Sequence, residues 1–277
     1  MWSLLKAPMN LNKYRIKPRT QFDLGKFDAG DKSLIKGNKD KAKSALEELR
    51  RKLESLQSLF YANGSRKLLV VLQAMDTAGK DSTIRMVFDG VNPQGVRVAN
   101  FKAPTGEELA HDFLWRVHAR TPANGEIVIF NRSHYEDVLI TRVNGWIDAD
   151  TCQARYRAIN AFEQLLVENN TTILKFYLHI SKDEQNKRLI ERRDDRTKQW
   201  KFNPADLASR AQWEDYMSAY SQAIAATSTQ VAPWVIVPAN SKLQRNLIVS
   251  KVICDALEGL NLTYPKPLPG IEKIKIE

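Results

Sequence analysis

The chain has 277 residues, a formal net charge of +10, and 43% hydrophobic against 27% charged residues. That supplies a core for one large domain or two small ones and excludes a disordered or low-complexity chain. Its two cysteines, Cys152 and Cys254, are far apart with no Cys or His companion. This argues against a disulfide framework or a thiolate zinc site and for a reducing, cytoplasmic setting.

No apolar run approaches the roughly 18 residues that a membrane helix needs, and the first six residues lack the order of a signal peptide. The expectation is a cytoplasmic protein with no membrane partner. Residues 1–45 hold eleven Lys or Arg against four Asp, a net +7. They show little hydrophobic periodicity, so 1–38 are predicted to form a basic arm, extended or lying as irregular cover over its own domain. A polyanion-binding role for this arm is the sharper alternative.

Residues 39–63 predict an amphipathic helix, with Ala45, Leu46, Leu49, Leu53, Leu56 and Leu59 at three- and four-residue steps. Five short apolar runs then follow at 68–73, 96–101, 127–130, 173–178 and 234–237. Helix-patterned segments separate them, which predicts a parallel sheet buried on both faces. The fold class is α/β: a single three-layer α/β/α domain over 39–277. Segment 182–228 is too long for a simple crossover. It reads as two helices broken near Pro204, which disfavours helix at Asn203, and is a candidate lid.

The strongest chemical signal follows the first run, where 74–83 read Ala-Met-Asp-Thr-Ala-Gly-Lys-Asp-Ser-Thr. This approximates the phosphate loop G-x-x-x-x-G-K-[ST] in a strand-loop-helix setting. Small residues let backbone N–H groups wrap a phosphate, and a lysine neutralises its oxygens at the positive end of a helix. Thr77, Ala78, Gly79, Lys80, Ser82 and Thr83 are the candidate phosphate ligands. Two positions depart from the pattern: Ala74 stands at the first glycine, and Asp81 at the hydroxyl residue that would hold Mg²⁺. A carboxylate at Asp81 can still serve a metal. The plain alternative is a turn whose Gly79 serves geometry alone.

A second signal follows the third run, where Asn131, Arg132, Glu136 and Asp137 stand near a strand's carboxyl end. Ligands of such sheets bind there, and an acid at this place is a second metal anchor in phosphoryl transfer. Arg132 could clamp a phosphate, or simply pair with Asp137. The third signal is a basic stretch with Arg188, Arg192 and Arg196 four residues apart, Arg193 beside them and Lys201 beyond, interspersed with five acids. Arg188 is assigned to a surface network, and Arg192 and Arg193 to a lid over phosphates. A salt-bridged surface helix is the plain alternative.

With these residues in view, the sequence resembles the polyphosphate kinase 2 family. The resemblance rests on Met75-Asp-Thr-Ala-Gly-Lys-Asp81, Gly90-Val-Asn-Pro-Gln-Gly95, Phe101-Lys-Ala-Pro104, Phe130-Asn-Arg-Ser133, Tyr135-Glu-Asp137, Glu191-Arg-Arg193, Trp200-Lys201 and Ala232-Pro-Trp-Val235. It implies a P-loop kinase-like fold, dependence on Mg²⁺ with Mn²⁺ as a substitute, and phosphoryl transfer between inorganic polyphosphate and a nucleotide. It further implies that Asp76 and Asp137 are the essential acids, Lys80 the loop lysine, and Arg132, Arg192 and Arg193 phosphate contacts. Asp81 and Glu136 complete the candidate metal ligands. Overall likeness points to the class acting on both AMP and ADP, with guanine nucleotides as a further substrate class, and to a homodimer or homotetramer. Two rivals share parts of the pattern: an ATP-dependent nucleoside monophosphate kinase of thymidylate-kinase type, and a nucleic-acid-binding protein using the basic arm. The acids grouped at the loop would repel a passive polyanion, so no nucleic-acid partner is expected.

Overall fold

Five parallel strands carry the fold, seen in a computed structural model that describes residues 9, 11–18, 20–35 and 37–276. Lys6, Arg19 and Lys36 of the basic arm, and the amino-terminal residues weighed against a signal peptide, lie outside the described residues. The strands are β1 (Lys67–Gln73), β2 (Val96–Asn100), β3 (Ile127–Asn131), β4 (Thr171–His179) and β5 (Trp234–Pro238), in the order β2-β3-β1-β4-β5. All five predicted runs are strands. Every pairing is parallel, and Leu68, Leu69, Val70, Val71 and Leu72 of the central β1 are buried, as a sheet covered on both faces requires.

The helices are α1 (Lys39–Asn63), α2 (Lys80–Val87), α3 (Gly106–Ala110), α4 (Trp115–His118), α5 (Ile140–Val143), α6 (Ala149–Glu168), α7 (Lys182–Asp194), α8 (Ala205–Ala211), α9 (Trp213–Thr227) and α10 (Lys242–Gly259). Helix α1 has the predicted bounds because its ends are chemically marked. The Asn38 side chain accepts from the Lys41 N–H at its start, and Gly64 closes it in the left-handed region at φ 63°. Helices α1, α2 and α10 pack together in one layer, and α6 and α9 in the other, giving the three-layer α/β/α P-loop kinase-like fold.

Among its described residues the basic arm has no regular strand or long helix, yet it is pinned to the domain. Leu11, Tyr14, Ile16 and Leu24 are buried. The Ile16 N–H donates to the Trp234 carbonyl at 2.9 Å, so the arm runs antiparallel beside the start of β5. The Tyr14 hydroxyl donates to Asp31 at 2.7 Å and accepts from Gln244 of α10 at 2.9 Å.

The segment 182–228 differs from its two-helix expectation. It forms three α-helices: α7 already ends at Asp194, ten residues before Pro204, which stands at the start of α8, and the chain breaks again at Gln212. The aromatic stripe of α9 also faces inward: Trp213, Tyr216 and Tyr220 are buried, with the Tyr220 and Tyr177 ring centroids 4.5 Å apart. Residues 213–227 therefore belong to the core layer and not to a lid. A second buried feature fixes the turn after β3. Lys175 of β4 donates to Glu163 of α6 at 2.6 Å, to the Tyr135 hydroxyl at 2.9 Å and to the Thr227 carbonyl at 2.7 Å. Tyr135 is thereby locked between β4 and two helices, and Glu136 and Asp137 follow it directly.

The arm's burial predicts that it contributes to stability. Replacing Leu24, which is fully buried, with alanine should cost about 2–5 kcal/mol, read as a lower urea midpoint at unchanged slope. An unchanged midpoint would mean that the arm is detached in solution.

Candidate active site

The loop between β1 and α2 opens at the carboxyl edge of the sheet, where the strands of such folds meet their ligands. Its backbone enters the left-handed region at Thr77 (φ 66°) and Gly79 (φ 100°) but not at Ala74, so nothing at Ala74 requires the glycine of the usual pattern. At Gly79 the requirement is real on two counts. A side chain there would be strained at that φ, and a Cβ would collide with the Arg245 guanidinium. Lys80 folds back over the loop, its Nζ donating to the Ala74 carbonyl at 3.1 Å. The Ser82 and Thr83 hydroxyls each donate to the Gly79 carbonyl at 2.9 Å. Burial pushes the Lys80 pKa down, and Asp76, Glu136 and Asp81 pull it back up.

The end of β3 supplies the next shell of charge. Arg132, itself at φ 63°, donates from Nη2 to Asp76 Oδ1 at 3.0 Å. Asn131 Nδ2 donates to Asp81 Oδ1 and to Asn100 Oδ1, both at 2.9 Å, tying β2, β3 and α2 together. Lys201 Nζ stands 4.0 Å from Asp81 Oδ2. Glu136 faces the same cluster: burial raises its pKa, against the pull of Arg132 and Lys80.

Asp137 has a different set of neighbours. Burial raises its pKa and Arg116 and Arg155 oppose it. Its Oδ2 lies 3.8 Å from Arg116 Nη2 and, though buried, makes no hydrogen bond among the described residues. The ion pair between Arg132 and Asp137 weighed from the sequence does not form, because Arg132 turns to Asp76.

Helices α7 and α8 complete the cluster. Arg192 Nη1 donates to Asp206 Oδ2 at 3.2 Å. The pKa of Asp206 rises from the ordinary 3.8 to about 6, through burial first and the charge of Asp76 second, against Arg192, Arg132 and Lys80. The structure does not bring Arg193 here: its guanidinium is solvent-exposed and pairs with the neighbouring Asp194 at 2.7 Å. Arg188 overturns its assignment to a surface network. It is buried and donates to the carbonyls of Thr77 (3.3 Å), Ala78 (2.9 Å), Ala239 (2.7 Å) and Asn240 (3.3 Å). Four-residue spacing places Arg188 and Arg192 along one helix face but cannot tell which part of that face is covered.

The sequence reading missed Asp206, Arg116 and Arg245. Asp206 carries no motif: it stands in the first turn of α8, where it meets Arg192 and feels the charge of Asp76. Arg245 left a readable signal: it is the one cation within residues 244 to 250 of α10, all of which are buried. Among the described residues, no group of three or more His, Cys, Asp or Glu side chains stands ready to hold a metal ion, and no helix is long and apolar enough to cross a membrane.

The model of the family described as polyphosphate kinase 2 matches residues 36–264. The chain belongs to the polyphosphate kinase 2 family. The AMP/ADP-polyphosphate phosphotransferase of Meiothermus ruber is 55% identical over 267 residues, which covers 96% of this chain and 100% of that protein. The ADP-polyphosphate phosphotransferase of Rhodopseudomonas palustris is 42% identical over 273 residues, 94% of each chain. The crystal structure of polyphosphate kinase 2 from Arthrobacter aurescens TC1 superposes with a TM-score of 0.89 at 47% identity, over 92% of this chain and 91% of that one. The protein is thus a phosphotransferase of the polyphosphate kinase type. Neither the thymidylate-kinase-type nor the nucleic-acid-binding alternative is favoured.

Two expectations follow from this member's geometry. Arg188→Lys should lower kcat/KM by about tenfold or more, because one ammonium cannot replace a planar fork serving four carbonyls. Arg193→Lys should stay within about twofold, since an exposed ion pair contributes little; equal losses in steady-state assays would refute the distinction. The second concerns pH. An acid whose pKa is raised on folding stabilises the fold when protonated, and that gain is lost as pH rises through the folded value of about 6. From about pH 5 to pH 7, the melting temperature of the ligand-free protein should therefore fall relative to that of Asp206→Asn. Parallel curves would show that Asp206 titrates normally.

Proposed function

We propose that this chain transfers the terminal phosphoryl group of inorganic polyphosphate to AMP and ADP, reversibly, giving ADP and ATP. The observation that carries the reading is the convergence of Lys80, Arg132 and Arg192 on a phosphate loop at the sheet's carboxyl edge, in a chain of this family. The names of its relatives, which cite AMP and ADP, support the choice of acceptor.

The reaction is an in-line displacement. An oxygen of the acceptor's terminal phosphate attacks the end phosphorus of the chain, the bond to the bridging oxygen breaks, and the shortened polyphosphate leaves as an anion. The protein has little covalent work to do. It must align the two anions and neutralise their mutual repulsion. The loop N–H groups and Lys80 would hold the transferring phosphate, with the Ser82 and Thr83 end of α2 behind it. Arg132 and Arg192 are held by Asp76 and Asp206, and would exchange those carboxylates for phosphate oxygens.

Such chemistry calls for a divalent cation, magnesium with manganese as a substitute, and the carboxylates present suit one. They stand singly and not as a closed cage, and Asp137 Oδ2 is a buried oxygen without a hydrogen bond. That fits an ion taking most of its ligands from water and substrate phosphates. Asp76, Asp137, Asp81 and Glu136 would hold it, and when bound it supplies positive charge to the transferring group. Asp76 also orients Arg132, and Asn131 holds Asp81 in place.

The deciding assay supplies polyphosphate and Mg²⁺ with AMP or ADP, without ATP, and separates the nucleotides. New ADP and ATP are expected; product formed only with ATP as donor would overturn the reading. In the same assay Lys80→Ala, Asp76→Asn and Asp137→Asn should each lower kcat by about two orders of magnitude. A folded Asp137→Asn variant with near-normal turnover would remove Asp137 as an anchor and leave Glu136 in that place.

A further inference from the structure

Arg245 is among the largest fully buried side chains of the protein, 1% exposed on α10. Its donors all meet neutral acceptors. Nη1 reaches the Ala78 carbonyl at 3.3 Å, Nη2 the Ser82 hydroxyl at 3.1 Å, and Nε and Nη2 reach Asn246 Oδ1 at 3.1 and 3.0 Å. Among the described residues no carboxylate pairs with it. The charged neighbour that acts on it is Arg188, of the same sign, and burial together with that charge pulls its pKa down to about 9. A buried cation without a counter-ion is costly, and while Arg188 has Glu184 as its partner at 2.7 Å, Arg245 has none.

The position of the charge resolves this. The guanidinium lies against Ala78, Gly79 and Ser82, where the phosphate loop becomes the first turn of α2. A phosphate held by that loop would stand against the same backbone. We propose that Arg245 is a built-in cation of the phosphate site and that the substrate's phosphates are its counter-ion. Acting through the loop without reaching solvent, Arg245 is a positioning residue for the polyphosphate or nucleotide phosphates. The proposal rests on the reading of the loop given above. It deepens that reading by naming where binding energy comes from: ligand binding relieves a charge that the free protein leaves uncompensated. Lys80 and Arg132, by contrast, have acids beside them.

A purely structural role would make Arg245 a tie between α10 and the loop, and two variants separate the roles. Arg245→Lys keeps the charge and loses the fork, whereas Arg245→Gln keeps a hydrogen-bond donor and loses the charge. With tripolyphosphate as the probe, measured by calorimetry and thermal shift, Arg245→Gln should melt no lower than wild type without ligand. It should bind about tenfold or more weakly, with most of the ligand-induced shift lost. Arg245→Lys should bind within about threefold of wild type. The proposal is overturned if Arg245→Gln binds like wild type, or if Arg245→Lys weakens as much as Arg245→Gln. It is equally overturned if the neutral variant cannot fold, since the cation would then belong to the fold and not to the site. Wild type that fails to bind tripolyphosphate would instead overturn the reading of the loop itself.

Discussion

A loop that offers its N–H groups to an anion must have its carbonyls satisfied from the other side. The structure meets that demand completely over residues 74–79. The Ala74 carbonyl accepts from Lys80, that of Met75 from the Ala78 N–H, and that of Asp76 from Gln185 at 3.2 Å. The Thr77 carbonyl accepts from Arg188, and that of Ala78 from both Arg188 and Arg245. The Gly79 carbonyl takes the Thr83 N–H and the hydroxyls of Ser82 and Thr83. Helices α7 and α10 are thus fastened to the loop by buried side chains, and the rest of the site is placed relative to them.

Satisfying carbonyls with guanidinium groups has an electrostatic consequence. Each such donor brings a full charge, so the scaffold that shapes the loop also biases it toward anions. The carboxylates around it temper that bias: Asp76 holds Arg132 and Asp206 holds Arg192. Partly exposed pairs of this kind are weak, which suits the exchange of partners proposed for Arg132 and Arg192.

The fold was legible because its signals are local and repeated. Strand β1 is a buried apolar run, and α1 carries both a cap residue and a terminal glycine around a leucine stripe. The loop was legible for the same reason, since Gly79 and Lys80 sit between that run and a helix. Residues whose role depends on tertiary packing were not. Arg188 and Arg193 are five positions apart on one basic helix, yet one is buried under the loop and the other faces solvent. Composition and spacing treat them alike because the surface that covers Arg188, formed by residues 77–78 and 239–240, comes from distant parts of the chain. Asp206 and Arg245 were hidden in the same way.

The fastening of α7 also bears on how the site could close. A lid spanning 182–228 would swing as a unit, but its first turns are held by Gln185 and Arg188, and 213–227 lie in the core. What lies between these points is the end of α7, the turn Gln199–Lys201 and α8, whose far end is tied back to α7 by Arg210 donating to the Lys182 carbonyl at 2.7 Å. That stretch carries Arg192, Arg193, Lys201 and Asp206. Rearrangement there would carry Arg192 between Asp206 and a phosphate without disturbing Arg188, which must stay still if the loop carbonyls are to remain satisfied. One helix thus sets Arg188 against the loop carbonyls and, a single turn later, Arg192 against Asp206.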